Sequence, residues 1–132
     1  MNYYFATTIE GPFDEAVARA VQALQDEGFG VLTEIDVSAT LKKKIGADFR
    51  PYRILGACNP ALAFEALQRE DKIGTMLPCN VVVQEVAPGR SEIAAVDPVA
   101  SMQAVENPAL AGVAESVRGK LRKVIESIGP AH

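Results

Sequence analysis

The stretch from Arg50 to Val86, RPYRILGACNPALAFEALQREDKIGTMLPCNVVVQEV, decides how we interpret the chain. Its two ends are rich in aromatic and β-branched residues, which are typical of strands, and its middle has a helical spacing of apolar residues. Two similar phrases, GACNP and LPCN, each place a cysteine at the edge of a predicted strand and follow it with asparagine. These are the only two cysteines in the sequence, and they are the centre of the chemistry that we predict.

Length and composition restrict the class of protein. At 132 residues, the chain fits a single domain over residues 1–132 that needs neither a disulfide nor a metal to fold. Its formal net charge of −4 argues against a nucleic-acid partner, because phosphate neutralisation supplies much of the affinity for nucleic acids. No apolar run approaches about 18 residues, and the first residues lack a basic and apolar leader. We therefore predict a cytoplasmic protein, not bound to a membrane, with reduced cysteines.

The segments before the central stretch alternate between strand and helix. Tyr3–Ile9 is rich in aromatic and β-branched residues and predicts a strand. A helix is predicted to start at Pro12, which suits a first helical turn, and to end at Gly28. Phe29–Val37 predicts a second strand, and Ser38–Gly46 a short helix capped by Ser38. Alternation along the second strand predicts one shared face for four residues: Val31, Thr33, Ile35 and Val37.

The central stretch itself predicts strand, helix and strand. Phe49–Cys58 is the first strand, and Asn59 is the natural cap of a helix that ends near Glu70. Asp71–Pro78 is predicted to be irregular. Cys79–Val86 is apolar on both faces, as expected of a central strand. Alternation along the first strand predicts a shared face for Tyr52, Ile54, Gly56 and Cys58.

The last third of the chain predicts a hairpin and a long helix. Pro88-Gly89 matches a type II turn, and Ser91–Val96 is the returning strand. Asp97 and Asn107 each precede a proline, which is typical of a helix start. The final helix is predicted from an amphipathic stripe with steps of three and four residues: Leu110, Val113, Val117, Leu121, Val124 and Ile128.

The amino-acid sequences of these segments resemble those of a known family. The phrases YYF, GFGVLTEIDV, ATLKKKIGADFRPYRILGACNPALA and LPCNVVV are similar to those of the family called domain of unknown function 302. The resemblance implies a TATA-binding-protein-like α+β fold. In this fold two long helices and one or two short ones pack on a single antiparallel sheet of about five strands. It also implies a homodimer, and it implies no activity. The fold label is not an indication of DNA binding, because folds do not carry function.

Whether the two thiols meet depends on strand direction. If the strands that carry Cys58 and Cys79 are antiparallel, both cysteines lie at one end of the sheet. A parallel crossover would separate them by about 15–20 Å. The resemblance favours the antiparallel case, and on that basis we predict a dimeric module that binds a small ligand or a partner segment. The candidate binding residues are Cys58, Asn59, Pro78, Cys79, Asn80 and Arg53.

Other interpretations of the cysteines remain open. In a thiol enzyme or sulfur carrier, Cys58 would take up a persulfide or disulfide near a helix start, and Cys79 would resolve it. Soft Cu(I) accepts two thiolates, whereas this spacing does not make a zinc site, and we predict no dedicated metal or cofactor. The only histidine is His132 at the last position, so no internal histidine is available to activate a nucleophile. Both cysteines are also compatible with simple packing as small hydrophobes.

Overall fold

The computed structural model describes residues 2–129, so His132 lies outside the described residues. The strands are β1 (Tyr4–Glu10), β2 (Gly30–Asp36), β3 (Tyr52–Cys58), β4 (Cys79–Ala87) and β5 (Arg90–Val96). The α-helices are α1 (Phe13–Asp26), α2 (Val37–Ile45), α3 (Pro60–Arg69), α4 (Pro98–Ser101) and α5 (Ala111–Ile128). Short 3₁₀ helices at Asp71–Met76 and Pro108–Leu110 precede β4 and α5.

The strands form one antiparallel sheet in the order β1-β5-β4-β3-β2. Strands that are neighbours in this sheet are also consecutive in the chain, except that β1 pairs with β5, with Tyr4 opposite Val96. This arrangement confirms the predicted α+β class and the single antiparallel sheet of five strands. None of the helices described between residues 2 and 129 is long and apolar enough to cross a membrane.

Short polar side chains cap several helix starts, because each accepts a hydrogen bond from a backbone N–H that has no partner within the helix. The capping residues are Asp36, Asn59, Asp97 and Asn107. The cap of α2 differs from the prediction. Asp36 rather than Ser38 accepts from the N–H of Ala39, at 2.9 Å, so β2 ends and α2 begins earlier than the sequence pattern indicates. The Ser38 hydroxyl instead donates to the carbonyl of Phe49, at 2.8 Å.

The core lies between one face of the sheet and the long helices α1 and α5. The predicted stripe of α5 is buried along its whole length. The facing side chains of the central strands are fully buried, and we call this side of the sheet the covered face: Leu55, Ala57, Cys79, Val81, Val83, Ile93 and Ala95. Burial of apolar area on this face is the main stabilising contribution to the fold, at about 25 cal/mol per Å².

The other side of the sheet carries a second set of side chains at the alternate positions. These residues are half-buried or exposed, and we call this side the open face: Tyr4, Ala6, Tyr52, Ile54, Asn80, Val82, Gln84, Glu92 and Ala94. Within residues 2–129, both long helices pack on the covered face, where their buried side chains join the core. The open face is therefore not covered by these helices. It carries apolar residues together with the polar Asn80, Gln84 and Glu92.

A β-bulge changes the predicted alternation of β2. Val31 pairs with Ala57 and Thr33 pairs with Gly56, so Leu32 is an extra residue between two adjacent partners of β3. The prediction that Val31 and Thr33 share one face was therefore wrong. Val31 is half-buried against the core, whereas Thr33 lies on the open side. A bulge shifts the alternation by one residue, and periodicity in a single sequence does not reveal it.

Two boundaries in the central stretch also differ from the prediction. β3 begins at Tyr52 rather than Phe49, because Phe49 bonds to α2 and Pro51 has no N–H for a ladder. The segment predicted to be irregular forms the 3₁₀ helix Asp71–Met76. The following Leu77–Pro78 peptide bond is cis. The 3₁₀ helix packs beside α3, and the chain then enters β4 in the antiparallel direction.

Candidate functional site

Antiparallel pairing of β3 and β4 brings the two cysteines to the same end of the sheet. Ala57 lies directly opposite Cys79 in the ladder, and Cys58 is the next residue of β3. The antiparallel case, which would place both cysteines at one end of the sheet, is therefore the one that the structure shows.

The thiols contribute to the wall of a cavity of about 310 Å³ between the end of the sheet and the helices α3 and α5. The wall is almost entirely apolar. Four predicted site residues line it: Cys58, Asn59, Pro78 and Cys79. Clefts of about 300–1,000 Å³ with mainly apolar walls are typical of sites for small molecules.

The position of Cys58 differs from the one that strand alternation predicts. Alternation places Cys58 on the same face as Tyr52 and Ile54, which lie on the open face, whereas the structure places Cys58 in the cavity wall together with Cys79. β3 ends at Cys58, and the chain turns at Asn59 into α3. At a strand end the pleat no longer dictates the direction of the side chain.

The two thiols have different surroundings. Cys79 is buried, with 7% of its surface exposed, whereas Cys58 is half-buried. Burial, and secondarily the nearby negative charge of an ionised Cys58, raises the pKa of the Cys79 thiol from its usual value near 9 to about 11. Cys79 is consequently a neutral thiol at physiological pH and a weak nucleophile.

Asn59 has a structural role that is visible in its contacts. Its side-chain oxygen accepts a hydrogen bond from the N–H of Leu62 at 3.2 Å and so caps α3. This confirms that Asn59 is the cap that the sequence predicts. The cap fixes the direction in which α3 leaves the sheet, and α3 forms one wall of the cavity.

Pro78 is held against the sheet by a close approach at Gly56. A Cβ atom at Gly56 would lie 2.7 Å from Cγ of Pro78 and would also contact the hydroxyl of Thr33. Only glycine leaves the space that these two side chains occupy. Gly56 therefore allows Pro78 to close one side of the cavity.

The other two predicted site residues lie outside the cavity. Asn80 is exposed on the open face, in a shallow groove with Tyr4 and Tyr52. Arg53 forms ion pairs with Glu34 at 2.6 Å and with Asp36 at 3.6 Å. The structure thus separates the predicted set into four cavity residues and two residues with other surroundings.

Other residues also form much of the cavity wall. They are Leu62, Ala63 and Ala66 of α3, Met102 after α4, and Val113 and Val117 of α5. The helical spacing in the sequence identified Val113 and Val117 as inward-facing positions. The small side chains on α3 are the signal that was available, because alanine at an inward-facing position leaves unfilled space.

Between residues 2 and 129, no three His, Cys, Asp or Glu side chains cluster as ligands for a metal ion. The ionisable groups near the cavity are the two thiols, and its polar contribution comes mainly from Asn59. This arrangement suits the binding of an apolar molecule, with a thiol within reach of it.

The fold and the site define a small α+β protein with one antiparallel sheet and a cavity that both cysteines line. The chain belongs to the family described as domain of unknown function DUF302, whose profile matches residues 5–128. The fold is also similar to the crystal structure of an uncharacterized conserved DUF302 protein from Bacillus stearothermophilus. The TM-score is 0.88 and the sequence identity 29%, over 97% of this chain and 99% of that chain. No curated protein shows significant similarity to the chain.

Proposed function

We propose that the protein is a binding module for a small apolar molecule, which it holds in the cavity beside Cys58 and Cys79. The observation that carries this proposal is the cavity itself, with a volume of about 310 Å³ and an apolar wall. At roughly 30 Å³ for each water-sized group, such a volume accommodates a ligand of about ten non-hydrogen atoms.

The rim of the cavity supports the same proposal. Leu32 and Leu67 both line the cavity and are 67% and 43% exposed, respectively. Leu32 is the extra residue of the bulge in β2, and bulges re-aim side chains beside functional sites. Large apolar side chains that surround an opening in this way typically mark a site for a ligand.

The first test compares a variant that fills the cavity with a control on the same helix. Ala63 lines the cavity, whereas Ala61 is an exposed residue of α3 that does not contribute to the wall. We expect the neutral fluorescent probe naphthalene, which has ten non-hydrogen atoms, to bind the natural protein. Ala63→Phe should weaken that binding by at least about tenfold, or about 1.4 kcal/mol, and Ala61→Phe should leave it unchanged. Equal binding by all three proteins, or none by the natural one, would refute the proposal.

Native mass spectrometry of the protein purified from cells identifies what the cavity holds. Mild ionisation should preserve a bound small molecule on the natural protein and on Ala61→Phe, and Ala63→Phe should carry less of it. The mass of the released compound then defines the ligand class. A ligand retained equally by Ala63→Phe would place its site elsewhere.

The same proposal includes a homodimer formed through the open face. Five strands about 4.8 Å apart and about seven residues long give a flat face of roughly 550 Å², here bearing Tyr52, Ile54, Val82 and Ala94. Two copies would bury about 1,100 Å², which passes the threshold of about 1,000 Å² for a biological interface. The few charged side chains on this face favour burial against a second copy.

Sedimentation equilibrium tests the dimer. Ala94 lies near the centre of the open face, between Ala6 and Val82, and Ala87 is exposed at the end of β4 beside the hairpin turn. We expect Ala94→Arg to convert the dimer to a monomer, because the arginine would bury a charge against the second copy without a partner. Ala87→Arg should remain dimeric. A natural protein that sediments as a monomer would overturn this part of the proposal.

Thiol catalysis is the second candidate, favoured by the placement of both cysteines in one cavity wall. In the reducing cytoplasm predicted from the sequence, both would be thiols. The raised pKa of Cys79 opposes a resolving role, since the resolving thiol must be ionised to attack. Measuring the alkylation rate of Cys58 against pH tests this candidate. An apparent pKa for Cys58 at or above about 8.5, the value of a free thiol, argues against it.

A further inference from the structure

We propose that Cys58 captures its ligand covalently, as a mixed disulfide with a small apolar thiol whose carbon group fills the cavity. This inference rests on the proposed binding function and adds the chemical class of the ligand. It is argued from the position of Cys58, the chemistry of the wall and the environment of Cys79.

The position of Cys58 combines access with a binding surface. Its side chain is half-buried, so Cys58 is more open to a reagent from solvent than a fully buried thiol is. The residue also lines the cavity, so a group attached to its sulfur has the apolar space beside it. Cys79 lines the same space but is buried, which leaves Cys58 as the more accessible of the two attachment points.

The capture step is a thiol–disulfide exchange. The Cys58 thiolate attacks one sulfur of a low-molecular-weight disulfide, R–S–S–R. The new bond joins the sulfur of Cys58 to R–S, the original S–S bond breaks, and the second R–S⁻ leaves and takes a proton from water. The disulfide is the two-electron oxidant, so the step needs no other reactant.

The environment of Cys79 preserves the adduct. Release would require the Cys79 thiolate to attack the mixed disulfide and form a Cys58–Cys79 bond. Burial is the larger cause of the raised pKa of Cys79 and persists in the adduct, where the sulfur of Cys58 carries no charge, so Cys79 stays mostly protonated near pH 7. Internal resolution is therefore slow, and a reductant from solvent must release the ligand.

The wall selects an apolar group on the captured thiol. Around Cys58, the contributors Leu62, Ala66 and Val117 are aliphatic and offer no partner for a charge. A charged group would lose its hydration without compensation. The side-chain oxygen of Asn59 is already engaged by the N–H of Leu62, so its main hydrogen-bonding capacity serves α3.

Alkyl methanethiosulfonates measure this selectivity, because each transfers a chosen R–S group to a thiolate and releases methanesulfinate. The probes are the n-butyl reagent and two charged ones, 2-sulfonatoethyl and 2-(trimethylammonio)ethyl. Using both signs of charge separates apolar selection from the effect of the net charge of −4. Each rate, followed by intact-protein mass near pH 7.5, is divided by the rate with N-acetylcysteine under the same conditions.

We expect the butyl reagent to modify Cys58 at least about tenfold faster than either charged reagent after this normalisation, a difference of about 1.4 kcal/mol. Cys58→Ser should abolish the fast modification, and Cys79→Ser should keep it. Ala63→Phe should remove the preference, whereas Ala61→Phe should retain it. A normalised rate that is the same for all three reagents would overturn the proposal.

The persistence of the adduct is the second readout. After removal of excess reagent, the butyl adduct should remain on the protein with Cys79 still alkylatable upon denaturation. Loss of the butyl group with formation of a protein disulfide, two hydrogens lighter than the free protein, would overturn the proposal.

The outcomes also distinguish capture from simple binding. If Cys58→Ser binds naphthalene as tightly as the natural protein while the reagents show no preference, the binding module stands and covalent capture is refuted. If the natural protein binds no neutral probe but keeps the butyl preference, reversible binding is refuted and capture is supported.

Discussion

The two faces of the sheet are built from the same strands, yet they differ in what lies over them. On the covered face, Val81 and Val83 are fully buried beneath helices. On the open face, Val82 stands between them in sequence and is only half-buried. The open face thus carries several apolar residues but is not enclosed by the described part of the chain.

This difference shows that burial in this chain follows the helices rather than the composition of the strands. A one-sided antiparallel sheet normally alternates apolar and polar residues, with the polar residues facing water. Here the alternate positions include Ile54, Val82 and Ala94. The apolar residues of the open face are suited to packing against a second apolar surface. Those of the covered face already pack against the helices of the same chain.

The largest expected effect is the difference in stability between a variant with a charge on the covered face and one with a charge on the open face. Val81→Asp places a carboxylate in the core without a partner and should lower the free energy of unfolding by about 4 kcal/mol or more. Val82→Asp, on the neighbouring residue, should cost about 1 kcal/mol, the range of strand preference. Urea denaturation at low protein concentration measures both. Similar losses for the two variants would mean that the faces are equally enclosed.

The next effect is a dependence of stability on pH that comes from Cys79 on the covered face. The pKa of Cys79 is near 9 in an unfolded chain and about 11 in the folded protein, so the folded state binds more protons between these values. The resulting stabilisation is complete below about pH 9 and is lost as pH rises to about 11, a change of about 2–3 kcal/mol.

Denaturation curves between about pH 8 and 11 test this linkage. The natural protein should lose more stability over this range than Cys79→Ala, whose constant cavity cost does not affect the slope. Cys58→Ala should retain most of the loss, since burial is the larger cause of the shift. Parallel curves for the natural protein and Cys79→Ala would contradict the assigned pKa.

A smaller effect tests the close packing of Pro78 and Thr33 against Gly56. Gly56→Ala should cost about 1–3 kcal/mol, because the new methyl group displaces Pro78 and Thr33. Gly30→Ala is the control, since no atom lies within 4 Å of its added Cβ, and it should change stability by no more than about 0.5 kcal/mol. Thermal denaturation compares the two. A harmless Gly56→Ala would show that Pro78 has room to move.

The smallest effect separates the two asparagines of the cysteine phrases. Asn59→Ala removes the cap of α3 and should cost about 1 kcal/mol. Asn80→Ala alters an exposed side chain and should stay within about 0.5 kcal/mol. Chemical denaturation gives both values, and probe binding is measured in parallel. An Asn59→Ala protein of unchanged stability that no longer binds the probe would assign Asn59 to the ligand instead of the helix.

Local signals in the sequence predicted most of the fold. The stripe from Leu110 to Ile128 and the cap at Asn59 depend on residues within one or two helical turns, so a single sequence is enough to identify them. The strand pairing came from the family resemblance, because periodicity alone does not choose between parallel and antiparallel neighbours. The resemblance was sufficient for the architecture and did not bring an activity.

The site was less predictable because its geometry depends on non-local contacts. The bulge at Leu32 and the turn after Cys58 each shift the alternation of a strand, and neither has a signature in residue spacing. Arg53 is paired with Glu34 across neighbouring strands, a partner that is 19 positions away in the chain. The cavity volume depends on how α3, α5 and the sheet end pack together, which no short motif encodes.

The strand order has a consequence for how the chain assembles. β2 to β5 pair with sequential neighbours, so each of these ladders closes a comparatively short loop. The partner of β1 is β5, which begins only at Arg90. The loop that this pairing closes is much longer, so its closure costs more entropy. We therefore expect β1 to pair with the edge of β5 after the other four strands have formed their ladders. The aromatic amino-terminal strand completes the sheet last, and its amides should be the latest of the sheet to gain protection in pulsed hydrogen exchange.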